Sequence, residues 1–348
     1  MKNIPHNKPT IGGAEVKAAA RALKSGWLAE GREVATFETE LSAYLGLKTK
    51  QAVAFSSGTA AMFVALKTLG LKADDEVILP TYSCASLLNA IFLAQAKPIP
   101  VDIEPDSLAL SLEKTREKIN PRTKAIIVVH PFGQPAPIHK FLTLGLPVIE
   151  DAAMALGSRI NNRPVGALGT IGVFSFYASK TITTGYGGMI VSRQKKYLKA
   201  AADYRLDDQR KKYQPRFNFH LSDIQAAIGR EQLKKLPAFL AKRQKIAQAY
   251  YSALSPDVVW PPQNQANLAP NFQRFLIRHS SPTKLQQKLK KGGIQTIVPI
   301  QTWELLHRCL NLNPAEFPVS EKIARTTLSL PIHPSLTANE IKKICQTL

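Results

Sequence analysis

The sequence predicts an α/β fold: a large domain on a mainly parallel, seven-stranded sheet, followed by a small α+β domain. Two observations carry this. Seven short β-rich runs recur at regular intervals over the first half of the 348 residues, with helical patterns between the early ones. Past about Ser192 the strand signal fades and a basic, helix-rich stretch takes over. The length suits one large core plus a smaller one, and we divide the chain at residues 1–235 and 236–348.

The candidate strands are residues 52–55, 76–79, 98–102, 125–129, 147–150, 171–176 and 189–192. Most are nearly continuous apolar runs, the pattern of strands covered on both faces of a parallel sheet. After the first, Ala61, Val64, Ala65 and Leu69 form one helical stripe, and Gly70 supplies a stop. Residues 221–233 and 236–251 predict two long helices, the second carrying Leu236, Leu240, Ala247 and Tyr250 on one side. Residues 255–271, rich in Pro, Asn and Gln, predict a surface loop. In the small domain, residues 274–279 alternate as a strand, and 283–291 are helical before a turn at Gly292-Gly293. Thr337-Ala-Asn-Glu340 is a capping box that opens the last helix.

Lys and Arg number 46 against 25 Asp and Glu, a formal charge of +21. Such a field attracts anions: nucleic acid, acidic lipid or a small phosphorylated ligand. The cations bunch at residues 193–216 and at Lys284, Lys288, Lys290 and Lys291, where a solvated basic surface accounts for most of them. No zinc-finger, basic-zipper or RNP-type motif accompanies them, so nucleic acid is not an expected partner. No apolar run approaches membrane-spanning length, and residues 1–10 hold no apolar leader segment. Cys84, Cys309 and Cys345 are too few and too dispersed for a disulfide framework or a thiolate metal site, and no metal is expected. These features point to the cytoplasm.

Four features carry chemistry. Ser56-Ser57-Gly58-Thr59-Ala60-Ala61 follows a strand and opens a helix, where unpaired amides and small residues admit a phosphate; a plain Ser/Thr cap is the competing account. Glu150-Asp151-Ala152-Ala153 ends an apolar strand, at the sheet edge where α/β proteins bind ligands. An acid there can hold a pyridine nitrogen protonated, or merely cap the next turn. Phe174-Ser-Phe-Tyr-Ala-Ser-Lys180 places a lysine after a buried strand; desolvation makes such an amine nucleophilic, although most lysines are surface residues. Thr183-Thr184-Gly185-Tyr186-Gly187-Gly188 allows a tight turn beside a ligand and is neither a dinucleotide fingerprint nor a P-loop.

With these motifs in order, the sequence resembles the DegT-type (DegT/DnrJ/StrS) sugar aminotransferases. The likeness runs through Ser25-Gly26-Trp27-Leu28, the Ser56–Ala61 stretch, Asp75-Glu76-Val77-Ile78-Leu79-Pro80 and Val101-Asp102-Ile103. It continues in Gly133-Gln134-Pro135-Ala136, Val148–Ala153, Phe174-Ser175-Phe176, Leu221–Gly229 and Leu328-Ser329-Leu330-Pro331. The resemblance implies the aspartate aminotransferase-like fold (fold type I) and the cofactor pyridoxal 5′-phosphate (PLP). It also implies ping-pong amino transfer from an amino acid, most often glutamate, to a nucleotide-linked keto-sugar, as in polysaccharide biosynthesis. Lys180 matches the lysine that binds the cofactor as a Schiff base and moves the proton. Asp151 matches the acid on the pyridine nitrogen; Ser57, Gly58, Thr59 and Ser175 match the phosphate-binding stretch. Asn218 matches an asparagine reaching the phosphate of the neighbouring subunit, so the resemblance implies a homodimer with shared active sites.

Departures from the family are equally specific. Met154 stands where Gln or His usually lies near the ring hydroxyl. Cys84 stands where an aromatic stacks on the ring, with Tyr82 two residues earlier as a substitute if the local strand is regular. Tyr186 replaces the commonest glutamate of the glycine turn, and Ile297 a common arginine. Met154 and Cys84 motivate a second reading, a PLP enzyme with another reaction or acceptor, such as a sugar dehydratase. Against it, the dehydratases carry a histidine at the position of Lys180. The charge motivates a third, a non-catalytic protein that binds nucleic acid or another anion.

Overall fold

The computed structural model describes residues 3–208, 211, 213–255, 258 and 267–348. Strands β1 (Ala52–Phe55), β2 (Glu76–Pro80), β3 (Lys97–Val101), β4 (Thr123–Val129), β5 (Val148–Asp151), β6 (Ile171–Ser175) and β7 (Gly188–Val191) form one sheet. Its order is β1-β7-β6-β5-β4-β2-β3. Only β7 runs against its neighbours; the pairs β2–β3, β2–β4, β4–β5 and β5–β6 are parallel. The near-continuous apolar runs are explained by burial on both faces. In β1, Val53 and Phe55 enter one core while Ala52 and Ala54 enter the other.

Helices α1 (Gly13–Lys24), α2 (Arg32–Tyr44), α3 (Gly58–Thr68), α4 (Ser86–Leu93), α5 (Leu112–Lys118), α6 (Ile138–Leu142) and α7 (Lys195–Arg205) surround the sheet. α3 is buried along the whole of Ala60–Leu66, so the expected stripe is an all-round apolar helix wedged into the first core.

The two helices expected over 221–251 are one: α8 runs from Asp223 to Ala253, with Pro237 inside it. Proline deletes one helical bond and costs about 3 kcal/mol in a helix interior. Here its ring is exposed, and Leu233, Leu236 and Phe239 on one side, Ile246, Ala247 and Tyr250 farther on, are all buried. Burial of several such side chains, at about 1.5–3 kcal/mol each, outweighs the defect. The helix passes through residue 235; as far as Leu240 it packs in the sheet's core, and from Ile246 in the small one.

The small unit pairs β8 (Phe275–Arg278) with β9 (Thr327–Leu330) antiparallel. It also holds α9 (Pro282–Lys291), α10 (Leu306–Cys309), α11 (Pro318–Thr326) and α12 (Ala338–Thr347), the last opened by the expected Thr337/Glu340 capping box. The N-terminal segment joins this unit: Ile4 bridges Ile294 and His6 Nε2 meets Ser329 Oγ at 2.8 Å. The loop expected over 255–271 lies largely outside the described residues. Its end is no surface loop, because Leu268–Ala269 pairs with Arg159–Ile160 and Asn271 is buried. Among the described residues, no helix is long and apolar enough to cross a membrane.

Candidate active site

A pocket of about 260 Å³ opens at the C-terminal edge of the parallel strands. Seven of the nine residues singled out in the sequence line it: Ser57, Gly58, Thr59, Cys84, Asp151, Ser175 and Lys180. The other two, Met154 and Asn218, do not. Met154 packs on the cluster around Tyr82 and Phe132, and Asn218 is exposed on the irregular stretch between α7 and α8.

The chain turns from β1 into α3 at Ser57, whose Oγ accepts the Ala60 amide at 3.1 Å. The two preceding amides, of Gly58 and Thr59, have no partner among the described residues. This turn sits directly on β6 and β7. A Cβ on Gly58 would lie 2.8 Å from Ser175 Cβ, and one on Gly188 would lie 2.3 Å from Ser57 O. Glycine at both positions therefore lets a helix N-terminus with free amides stand against the sheet edge, the arrangement that binds phosphate.

Strand alternation gives the two acids of β5 different work. Glu150 faces the interior and accepts His130 Nε2 at 3.1 Å, Gly166 N at 2.7 Å, Leu168 N at 2.5 Å and Gly169 N. His130 Nδ1 accepts the Ala136 amide at 2.9 Å, so the ring proton sits on Nε2. Asp151 faces the pocket. One of its oxygens accepts Ala153 N at 2.9 Å, and the other has no partner among the described residues. Burial pushes its pKa up, against the Ala153 bond and the nearby Lys180 and His130. Burial likewise pushes the Lys180 amine down; Cys84 and Asp151 oppose that shift and Arg274 adds to it. An amine with reduced proton affinity beside a carboxylate in want of a cation is a poised acid–base pair.

Lys180 is fixed by its loop. Its amide donates to Tyr177 O at 2.9 Å, and Thr184 N and Thr183 Oγ1 both return to Phe176 O, at 3.0 and 3.1 Å. Buried Asn271 clamps the loop from the small-unit side, donating to Met154 O (3.0 Å), Leu156 O (2.9 Å) and Thr181 Oγ1 (3.1 Å). Gly133, at φ +93°, makes room for it, since a Cβ there would fall 1.8 Å from Asn271 Oδ1. Gln273 Nε2 adds a bond to Ser179 O at 3.0 Å.

The departures resolve differently. Cys84 is exposed in the pocket, its Sγ 2.8 Å from Ser86 Oγ. Tyr82 does not substitute for a ring-stacking aromatic: it is buried edge-on against Phe132, centroids 6.0 Å apart, and does not line the pocket. The aromatics that do line it are Tyr177 and Tyr186, with ring centroids 5.3 Å apart.

The model of the DegT/DnrJ/EryC1/StrS aminotransferase family matches residues 9–348. The chain belongs to this family. Like the family, it is a PLP-dependent transaminase of fold type I. GDP-perosamine synthase of Vibrio cholerae is 31% identical over 367 residues, covering 99% of this chain and 98% of that protein. Spore coat polysaccharide biosynthesis protein SpsC of Bacillus subtilis is 30% identical over 375 residues, covering 99% and 96%. Among solved structures, Helicobacter pylori PseC, an aminotransferase involved in the biosynthesis of pseudoaminic acid, superposes with a TM-score of 0.92 at 26% identity. That match covers 99% of this chain and 98% of PseC.

The site is also braced by residues that the sequence did not single out: His130, Asn271, Gln273 and Ser158, whose Oγ donates to Gly133 O at 2.7 Å and accepts the Asn271 amide at 3.0 Å. No local pattern marks them. Asn271 and the Met154 carbonyl are 117 positions apart, and their pairing exists only once the fold is made.

Proposed function

We propose that the chain transfers an amino group from an amino acid, glutamate in the first instance, to the keto group of a nucleotide-linked sugar destined for polysaccharide. The observation that carries this is the meeting of three groups in one pocket: the desolvated Lys180 amine, the buried Asp151 carboxylate and the unpartnered α3 amides. They fit PLP in its three demands, a carbonyl partner, a counter-charge for a pyridine nitrogen and a phosphate cradle. The sugar relatives support the acceptor.

PLP, when bound, supplies the amine carrier and the electron sink. Gly58, Thr59, Ser57 and Ser175 would hold its phosphate, and Asp151 its ring nitrogen. A protonated ring nitrogen there would supply the counter-charge that the buried Asp151 carboxylate lacks. Lys180 Nζ would hold the cofactor's carbonyl carbon, and the same amine is placed to accept the proton of the donor Cα and to return it. Cys84 would cover one ring face with a small thiol, leaving room for a bulky sugar, while Met154 supports the ring wall through its carbonyl bond to Asn271.

The homodimer belongs to this reading. Ile11, Val16 and Leu23 are exposed around an apolar groove that reaches Ala178 and Gly185, either side of Lys180. Such a patch is suited to a second copy, which would bring its Asn218 to the phosphate. The three free thiols suit the cytoplasm, where nucleotide sugars are made. The test is a mixture of Lys180→Ala and Asn218→Ala chains, each inactive alone. Recovered amino transfer supports shared sites, and a mixture as dead as its parts refutes them.

A further inference from the structure

We propose that Arg274 is the residue that binds the α-carboxylate of the amino-acid donor. The position follows from the clamp described above. Gln273 is bonded to Ser179 O, next to Lys180, and the Arg274 amide donates to Phe132 O at 3.2 Å. The guanidinium lies over the Phe132 ring, 5.9 Å from its centroid. Its Nε and Nη1 are buried with no hydrogen-bond partner among the described residues.

The fully buried Arg243 gives a contrast. Arg243 Nη1 donates to Phe272 O, Gln273 O and Ile332 O, at 2.9, 3.2 and 2.7 Å, and acts as a strut. Arg274 has no such set of acceptors. Glu304, whose charge reaches Arg274, is already the cap acceptor for the Gln301 amide at 2.7 Å. Buried guanidinium N–H groups without acceptors are costly unless a ligand completes them.

The ligand is fixed by chemistry. In an amino acid the carboxylate and the amine share one carbon, and Lys180 must reach that carbon to move its proton. The carboxylate therefore comes within a few ångströms of the lysine, and Arg274 follows directly on Gln273, whose side chain is bonded to Ser179 O beside Lys180. A guanidinium binds a carboxylate through charge-assisted hydrogen bonds, for which the Arg274 Nε and Nη1 protons are available. A keto-sugar has no such carboxylate, so the same arginine distinguishes donor from acceptor.

The inference rests on an amino acid being the donor, and the experiment separates the two. Holoenzyme and its Arg274→Gln and Arg274→Lys variants are mixed with L-glutamate, and loss of the lysine-bound cofactor absorbance is followed. Dissociation constants for glutarate and for GDP are measured alongside, the second as a probe for a nucleoside diphosphate. The unreacted absorbance shows that each variant folds and binds cofactor. Expected is a rise of about 100-fold in half-saturating glutamate for Arg274→Gln, partial recovery in Arg274→Lys, weaker glutarate, unchanged GDP and an unchanged reaction with benzylamine. Equal glutamate dependence in all three proteins overturns the assignment, as does a loss shared by benzylamine or confined to GDP. A parent enzyme that reacts with no amino acid overturns the donor itself.

Discussion

Behind the pocket, at the sheet edge, the supporting polar groups are already bonded. Glu150 accepts four donors, His130 uses both nitrogens, and Asn271 and Ser158 tie three segments together. In the small unit, by contrast, Arg274 and Thr296 hold buried polar atoms with no hydrogen-bond partner among the described residues. A satisfied network is rigid and specifies one geometry, as a cofactor kept through every cycle requires. Open donors suit a ligand that arrives, reacts and leaves, because the bonds are made only while it is present.

The largest break in this contrast is at the amine. Lys180→Ala should lower amino transfer at least ~10³-fold and abolish the lysine-bound cofactor absorbance, read by steady-state assay and visible spectrum. The fold should survive, and a variant that retains turnover would remove Lys180 from the mechanism. Asp151→Asn replaces a charge by a neutral amide on the bonded side. It should slow conversion of the cofactor by glutamate by about 10²-fold in stopped flow while phosphate affinity changes little.

Asn271→Ala tests whether the rigid side owes its order to the clamp. It strips the Met154, Leu156 and Thr181 bonds and leaves buried acceptors unsatisfied, so stability should fall by about 2–4 kcal/mol in denaturant titration. An unchanged midpoint would mean water replaces the amide.

The smallest effect lies in the small unit. Glu321 accepts from Arg308 Nε at 2.5 Å and from Arg325 Nη2 at 2.7 Å, and also meets His307. The Arg308 bond holds its pKa below the usual carboxylate value, against the effect of burial. Its stabilisation is therefore present above the unfolded pKa and is lost as pH falls through the folded one. Glu321→Gln should lower the melting temperature by about 2 °C at pH 7, and the gap to the parent should close in acid. A gap that stays constant with pH would assign the effect to shape rather than charge.

The strands and the site motifs were legible because their signals are local. An apolar run buried on both faces reads the same in sequence and in the sheet, and Ser57-Gly58-Thr59, Asp151 and Lys180 each sit at a strand end that such runs mark out. The family resemblance then supplied their order. Pro237 misled, because an exposed proline in a helix buried on its other side is decided by tertiary packing rather than by propensity. Asn271 was hidden in a polar stretch whose composition reads as loop. Tyr82 depended on a strand regularity that ends at Pro80. Arg274 carried no signal at all, since what distinguishes it is the absence of acceptors around it in space.

Helix α8 has 31 residues, which at 1.5 Å per residue makes a shaft about 46 Å long. At one end Gln225 Nε2 grips Tyr186 O, at the rim of the pocket, at 2.8 Å. At the other, Tyr250 Oη donates to Pro331 O just beyond β9, at 2.5 Å. One continuous shaft thus ties the aromatic rim of the pocket to the small lobe. Pro237 leaves one rung of its hydrogen-bond ladder open between those two anchors.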